Sequence, residues 1–129
     1  MNISTAQARQ LGLQPKQSKY RNRKAEYNGI SFDSCKEATK YAELLLLQKA
    51  GEIIAIELQP VFVLQEGFLR DGKFIRPITY RADFRVTYKD GTIVIMDVKP
   101  SATYQTVEYR LKKKLLLKRF PEIQFKEIY

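Results

Sequence analysis

Chemistry in this chain has to come from carboxylates, lysines and tyrosines, because it holds no histidine and a single cysteine, Cys35. That excludes a Cys/His zinc site, a Ser-His-Asp triad and a Cys-His pair, and one cysteine forms no internal disulfide. Cys35 lies near the start of a helical pattern, where a thiol's pKa falls, but it lacks a histidine partner and reads as a bystander. Three acids stand out by position: Glu37, Asp83 and Asp97. Asp97 follows the apolar run Ile93-Val94-Ile95-Met96 and stands two places before Lys99. Strand side chains repeat every two residues, so Asp97 and Lys99 share a face. A carboxylate placed there is unfavourable unless it is paired or bound to a cation.

Whether Asp83 meets Asp97 depends on the turn between their strands. A three-residue loop, Lys89-Asp90-Gly91 with Gly91 left-handed, sets Asp83 opposite Asp97. A two-residue Asp90-Gly91 loop sets Asp83 opposite Val98 and sends Asp97 to the other face. The sequence is compatible with both; a type I turn ending in glycine favours the three-residue form, which is the expectation here. Opposed strand residues lie about 4.5–5.5 Å apart, and two ionised carboxylates so close repel. A hard divalent cation resolves the repulsion: Mg²⁺ takes one or two carboxylates, keeps waters and binds phosphate oxygens, with Mn²⁺ as a substitute. Lys99 could orient or deprotonate an attacking water, or neutralise charge on a phosphate, and Glu37 could complete the acidic cluster. Such a set suits metal-assisted phosphodiester hydrolysis.

Each residue also has a plainer reading. Glu37 three residues after Ser34 fits a capping box; Asp83 sits between Arg81 and Arg85 and could pair with either; Asp97 and Lys99 could be an ordinary strand end. An isolated Asp-Xaa-Lys says little. The weight lies in the conjunction of helix Glu, hairpin Asp and Asp-Xaa-Lys in a basic chain.

The elements that must position these residues follow from pattern. The first, residues 1–28, is polar and basic with no sustained apolar period and reads as a flexible basic arm; residues 29–129 read as one domain. A helix opens at Ser34 and stops at Gly51. Its expected inward face is Tyr41, Leu44, Leu45 and Gln48, flanked by Ala38 and Ala42, with Glu37 at its start and Lys36, Lys40 and Glu43 outside. Strands are expected over Ile53–Gln59 and Val61–Gln65, interrupted by Pro60, then, after a turn at Asp71-Gly72, over Ile78–Tyr88 and Thr92–Val98. The Ile93–Met96 run marks a strand covered on both faces. A helix from about Thr106 to Arg119, with Leu111, Leu115 and Leu116 as its stripe and Leu117 beside it, ends before Pro121, and Ile123–Ile128 is a last strand. The order gives an α/β domain with a mixed sheet.

The chain has 129 residues and a formal net charge of +9. One ordinary domain is the expectation, and a basic surface favours a polyanionic partner, usually nucleic acid. Candidate DNA contacts are Arg81, Arg85, Lys112 and Lys113, with Arg21, Arg23 and Lys24 on the arm; Tyr104 and Gln105 precede the second helix. Gln59 reads as a strand-end residue. No apolar run approaches a membrane span, and Met1-Asn2-Ile3-Ser4 opens no signal peptide, so a cytoplasmic protein is expected.

Asp83 with Asp97-Val98-Lys99 resembles the signature of the PD-(D/E)XK nuclease superfamily. More closely, Phe32-Asp33-Ser34-Cys35-Lys36-Glu37-Ala38, Ala50-Gly51-Glu52-Ile53, Leu58-Gln59-Pro60 and Tyr80-Arg81-Ala82-Asp83-Phe84 resemble small phage and prophage proteins placed in that superfamily. The residue before Asp83 is Ala82 rather than proline, and Asp97 stands for the commoner glutamate. The resemblance implies a restriction-endonuclease-like core of helix, three to four strands, helix and strand. It implies Asp83, Asp97 and the Val98 carbonyl as metal ligands, Lys99 as the catalytic lysine and Glu37 as the helix glutamate many members use. The expected function is a Mg²⁺-dependent DNA endonuclease, phage- or prophage-encoded, acting in a bacterial host in recombination, repair or DNA processing, with branched DNA a candidate substrate. Cutting two strands calls for two sites, hence an expected homodimer. The competing class is a non-catalytic nucleic-acid-binding or recombination-accessory module on a nuclease-like fold; a weaker one is a phage protein that binds a host protein.

Overall fold

The structure, a computed structural model, describes residues 14–17, 23–100 and 105–129. By its internal contacts the chain divides into two units, Met1–Ile53 and Ile54–Tyr129.

In the first unit, strands β1 (Gln14–Gln17), β2 (Arg23–Tyr27) and β3 (Ile30–Phe32) form an antiparallel sheet in that order. β1 and β2 fall inside residues 1–28, the segment expected as an arm; among its polar residues Ala25 is buried and pairs across with buried Phe32. Asn28 and Gly29 turn the β2–β3 hairpin with φ of 54° and 77°, the left-handed pair that a two-residue turn needs.

Helix α1 (Cys35–Lys49) begins where Ser34 Oγ accepts the Glu37 N–H at 3.1 Å. It ends in a Schellman arrangement: the Gly51 N–H donates to the Gln48 carbonyl and the Glu52 N–H to the Leu47 carbonyl, with Gly51 at φ 85°. Ala38, Tyr41, Ala42 and Leu44 are buried as expected, and the Tyr41 ring meets those of Phe32 and Tyr27. One expectation is corrected. Glu43, assigned to the outer side, is buried, while Leu45 and Gln48 are only half-buried. The buried arc is rotated toward Glu43, whose charge Lys40 meets at 3.4 Å on Oε2, leaving Oε1 buried without a hydrogen bond.

The rest of the chain supplies β4 (Ile53–Leu58), β5 (Val61–Gln65), β6 (Phe68–Arg70), β7 (Lys73–Ile75), β8 (Ile78–Arg81), β9 (Phe84–Tyr88), β10 (Ile93–Val98), α2 (Val107–Arg119) and β11 (Gln124–Ile128). The main sheet has the order β11-β10-β9-β4; β9 runs antiparallel and β11 parallel to β10. The fold is thus mixed α/β with a sheet of mixed orientation. β5 pairs with β8 and β6 with β7 as separate antiparallel ladders. Phe62, Leu64, Tyr80, Ala82, Ile95, Tyr109 and Leu116 form one buried cluster that joins α2 to β5, β8 and β10.

Two further expectations are corrected. Ile78–Tyr88 is not one strand: it breaks at Ala82-Asp83, and its halves pair in different ladders. Tyr80 and Ala82 join the α2 cluster, whereas Phe84 and Val86 face the same way as Val94 and Met96. The alternation runs through the break unmarked because the even-numbered residues are buried on both sides of it, although they face different neighbours. The buried face of α2 is Tyr109 and Leu116; Leu111, Leu115 and Leu117 are exposed.

Candidate active site

The turn between β9 and β10 takes the three-residue form. The Tyr88 N–H donates to the Thr92 carbonyl and the Gly91 N–H to the Tyr88 carbonyl, both at 2.9 Å, and Gly91 has φ 89°. Asp90 Oδ1 accepts the Thr92 N–H at 2.9 Å, a bond that holds the Asp90 carboxyl below its ordinary pKa. The ladder that follows pairs Ile93 with Thr87, Ile95 with Arg85 and Met96 with Phe84. The ladder ends there: one residue on, the Asp83 N–H donates to the Met96 carbonyl instead of entering a pair with Asp97.

Asp83 sits where the chain crosses between ladders, and its main chain is pinned on both sides. Its N–H donates to the Met96 carbonyl at 3.1 Å and its carbonyl accepts the Gln59 N–H at 2.9 Å; next to it, the Ala82 N–H donates to the Pro60 carbonyl. Gln59, at φ 51°, is a turn residue that grips Asp83 through the backbone. Asp83 Oδ2 accepts the Val98 N–H at 2.7 Å, taking the place of a ladder acceptor beyond the end of β9. In a strand the N–H and C=O of one residue project to the same edge, so the Val98 carbonyl faces the edge on which Asp83 lies.

Asp97 is buried at the end of β10. Its Oδ2 accepts the Tyr80 hydroxyl at 2.5 Å and lies 2.8 Å from Lys99 Nζ. Both contacts fall on one oxygen. Burial above all, then the hydrogen bond to Asp97 and the charges of Asp97 and Asp83, push the Tyr80 hydroxyl far above its ordinary pKa. Both carboxylates therefore act on the same hydroxyl. Lys99 Nζ also lies over the Tyr109 ring, 3.3 Å from its centroid.

Residues 17–129 match the family described as "Protein of unknown function (DUF1064)". The chain belongs to DUF1064. No curated protein and no solved structure matches it.

In this DUF1064 chain a second acid stands beside Asp97: Glu127, its partner in the parallel β10–β11 register. Glu127 accepts hydrogen bonds from Gln105 Nε2 at 2.6 Å, the Tyr109 hydroxyl at 2.8 Å and Lys113 Nζ at 2.8 Å. Burial opposes its charge, but the bonds from Lys113 and Tyr109 outweigh it and hold the Glu127 carboxyl below its ordinary pKa. Tyr109 in turn is raised well above its own, by burial first and then by the bond to Glu127. Sequence reading missed Tyr80, Tyr109 and Glu127. The signal was there in register: Glu127 falls level with Asp97 once β11 is laid parallel to β10.

The remaining candidates fall into place as follows. Glu37 stands in the first turn of α1, in the Met1–Ile53 unit, where its N–H is capped by Ser34. Arg85 pairs with Glu57 at 2.8 Å and lies over the Phe62 ring, so its charge is used within the sheet. Lys113 turns inward to Glu127, and Lys112 pairs with Glu108 at 3.0 Å along α2. Arg81 and Lys24 are exposed. Arg23 belongs to β2; Arg21 and Tyr104 lie outside the described residues. Among the described residues no helix is long and apolar enough to cross a membrane, and no group of three or more His, Cys, Asp or Glu side chains is placed to hold a metal ion. Asp83, Asp97 and the Val98 carbonyl make a smaller, all-oxygen set. That set fits a hard divalent cation, since Mg²⁺ needs only one or two carboxylates and fills its other positions with water and phosphate oxygens.

Proposed function

We propose that this chain is a metal-dependent DNA endonuclease of the PD-(D/E)XK type. The observation that carries the reading is the grouping around Val98: Asp83 Oδ2 accepts the Val98 N–H at 2.7 Å, Lys99 Nζ stands 2.8 Å from the Asp97 carboxylate, and both carboxylates act on the Tyr80 hydroxyl. Asp83, Asp97 and the Val98 carbonyl would hold the cation, Mg²⁺ or Mn²⁺. When bound, such an ion supplies Lewis-acid stabilisation to the phosphate under attack. The chain's own residues do the rest. Asp97 is fixed by Tyr80, so its orientation does not depend on the substrate. Lys99, held between Asp97 and the Tyr109 ring, presents an ammonium to the charge that builds on the scissile phosphate. Glu127, with Lys113 and Gln105, fixes Tyr109 and so the floor beneath Lys99. Glu37 is not needed for these steps. A basic chain of +9 supports DNA as the polyanion, and cutting both strands would be done by a homodimer.

The test is cleavage of supercoiled, linear and branched DNA with Mg²⁺, with Mn²⁺ and with chelator. Metal-dependent nicking is expected in the wild type, absent in Asp97→Asn and slowed about 10²–10³-fold in Lys99→Met, with melting temperatures measured beside them. Tight DNA binding with no cleavage under any metal, unchanged by Asp97→Asn, would replace the enzyme by a non-catalytic nucleic-acid-binding module.

A further inference from the structure

The β6–β7 ribbon has no core. Phe68, Leu69, Phe74 and Ile75 are 42%, 73%, 64% and 41% exposed, and every other residue of its two strands is exposed as well. Leu69 pairs across with Phe74 and Phe68 with Ile75, so both faces of the ribbon carry an apolar pair. A two-stranded hairpin is marginal in water without something to pack on, and exposed apolar pairs of this kind mark a recognition surface. The tip is a tight turn: Asp71 and Gly72 have φ of 51° and 74°, the left-handed pair of a two-residue hairpin. Just behind it, Arg70 and Lys73 are direct cross-strand partners. Like charges so placed repel; Asp71, 3.7 Å from Arg70, offsets one of them, and Arg76 adds a third cation at the ribbon's base. A polyanion relieves that repulsion. A second copy of a chain carrying +9, bringing its own cationic tip, would add to it.

We propose that the ribbon is a wedge for branched or mismatched DNA, with Leu69 and Phe74 entering an unstacked base step and Arg70 and Lys73 on the flanking phosphates. Apolar wedges flanked by cations are a general means of entering the base stack, and entry is easiest where pairing is already broken. The ribbon is tied to the candidate site through β8: from Phe74 to Asp83 the chain spans at most about 32 Å, roughly ten base-pair steps of about 3.4 Å. A wedged junction would thus lie within roughly ten pairs of a phosphate at Asp83. The inference rests on the DNA reading above and deepens it by naming the shape of the substrate.

The test uses the full chain in chelator, so that cleavage does not enter the readout. A four-way junction, a mismatched duplex and a fully paired duplex carry 2-aminopurine beside the branch or mismatch. The wild type is expected to raise 2-aminopurine fluorescence on the first two and to bind them more tightly than the paired duplex. Leu69→Ser/Phe74→Ser is expected to lose the fluorescence change and about tenfold in junction affinity, with its paired-duplex affinity and melting temperature unchanged. Junction binding and fluorescence equal to wild type in that variant would overturn the wedge. So would an equal loss on all three DNAs accompanied by dissociation of a dimer in sedimentation, which would make the ribbon a contact between copies. Absence of cutting in Mg²⁺ with the fluorescence change intact would remove the nuclease reading and leave the wedge; cutting without the fluorescence change would do the reverse.

Discussion

Tyr80 is a phenol buried for the sake of its oxygen. Its ring belongs to the cluster beneath α2 and its hydroxyl ends on Asp97. Deprotonation would set a phenolate against that carboxylate in a buried place, and Tyr109 stands in the same relation to Glu127. Both hydroxyls therefore have pKa values above the unfolded value of 10.0. In the folded chain they keep protons that the unfolded chain releases, so the stability they contribute is complete below that value and falls as pH rises beyond it. Absorbance of tyrosinate at alkaline pH should show Tyr80 and Tyr109 ionising only as the chain unfolds. In Tyr80→Phe and Tyr109→Phe one of these two disappears, and the alkaline loss of stability becomes shallower. Normal titration of all eight tyrosines in the folded chain would mean that the hydroxyls are not held as described. Tyr80 did not stand out beforehand, because an alternating Tyr-Xaa-Ala pattern is what any half-buried strand looks like; only the break after Ala82 turns it toward Asp97. Tyr109 was passed over because the stripe of its helix was assigned to leucines.

At the scale of elements, the hairpin was legible and the crossing was not. Lys89-Asp90-Gly91 fixes its own turn type, and the turn fixes the parity of the ladder behind it from Thr87–Ile93 to Phe84–Met96, one residue short of Asp83. The break at Ala82-Asp83 depends on Pro60 and Gln59, whose backbone groups hold it from the turn between β4 and β5; no local pattern records a partner so far away. The stripe of α2 was misplaced for a related reason. Four leucines suggested an apolar face, but the helix turns Tyr109, Lys113 and Leu116 inward instead, since Glu127 on β11 needs a cation and a hydroxyl. That demand has a consequence for pH. The Glu127 carboxyl lies below its ordinary value of 4.5, so its contribution is complete above that value and is lost as pH falls through the folded one. In Glu127→Gln, thermal melting followed from pH 7 downward should show a shallower acid decline than the wild type. By the proposed mechanism the variant should also cleave more slowly at pH 7 without loss of DNA affinity, because Tyr109 no longer fixes Lys99. An acid decline identical to wild type would show that Glu127 carries no such load.

For the molecule as a whole, charge decides what kind of contact is made, and placement decides how much of it is available. Several cations are spent internally: Arg85 on Glu57, Lys99 on Asp97, Lys113 on Glu127, and Lys112 on Glu108. The count of 23 lysines and arginines therefore overstates the number that can meet phosphates. Arg70, Lys73 and Arg76 on and beside the ribbon, exposed Arg81, and exposed Lys114 and Lys118 on α2 are among the candidates that remain. If about five of them each neutralise one phosphate, the logarithm of the binding constant should fall with the logarithm of salt at a slope of about −4.5, a loss of roughly 500-fold between 50 and 200 mM. Arg70→Gln/Lys73→Gln should make that slope shallower by about 1.8 on junction DNA. Arg85→Gln, which removes a cation already paired, should leave the slope unchanged while lowering the melting temperature. A slope that moves with Arg85 and not with the ribbon would place the DNA along the face of the sheet instead of across the ribbon. The pair of variants therefore distinguishes surface charge from structural charge, which net charge alone cannot do.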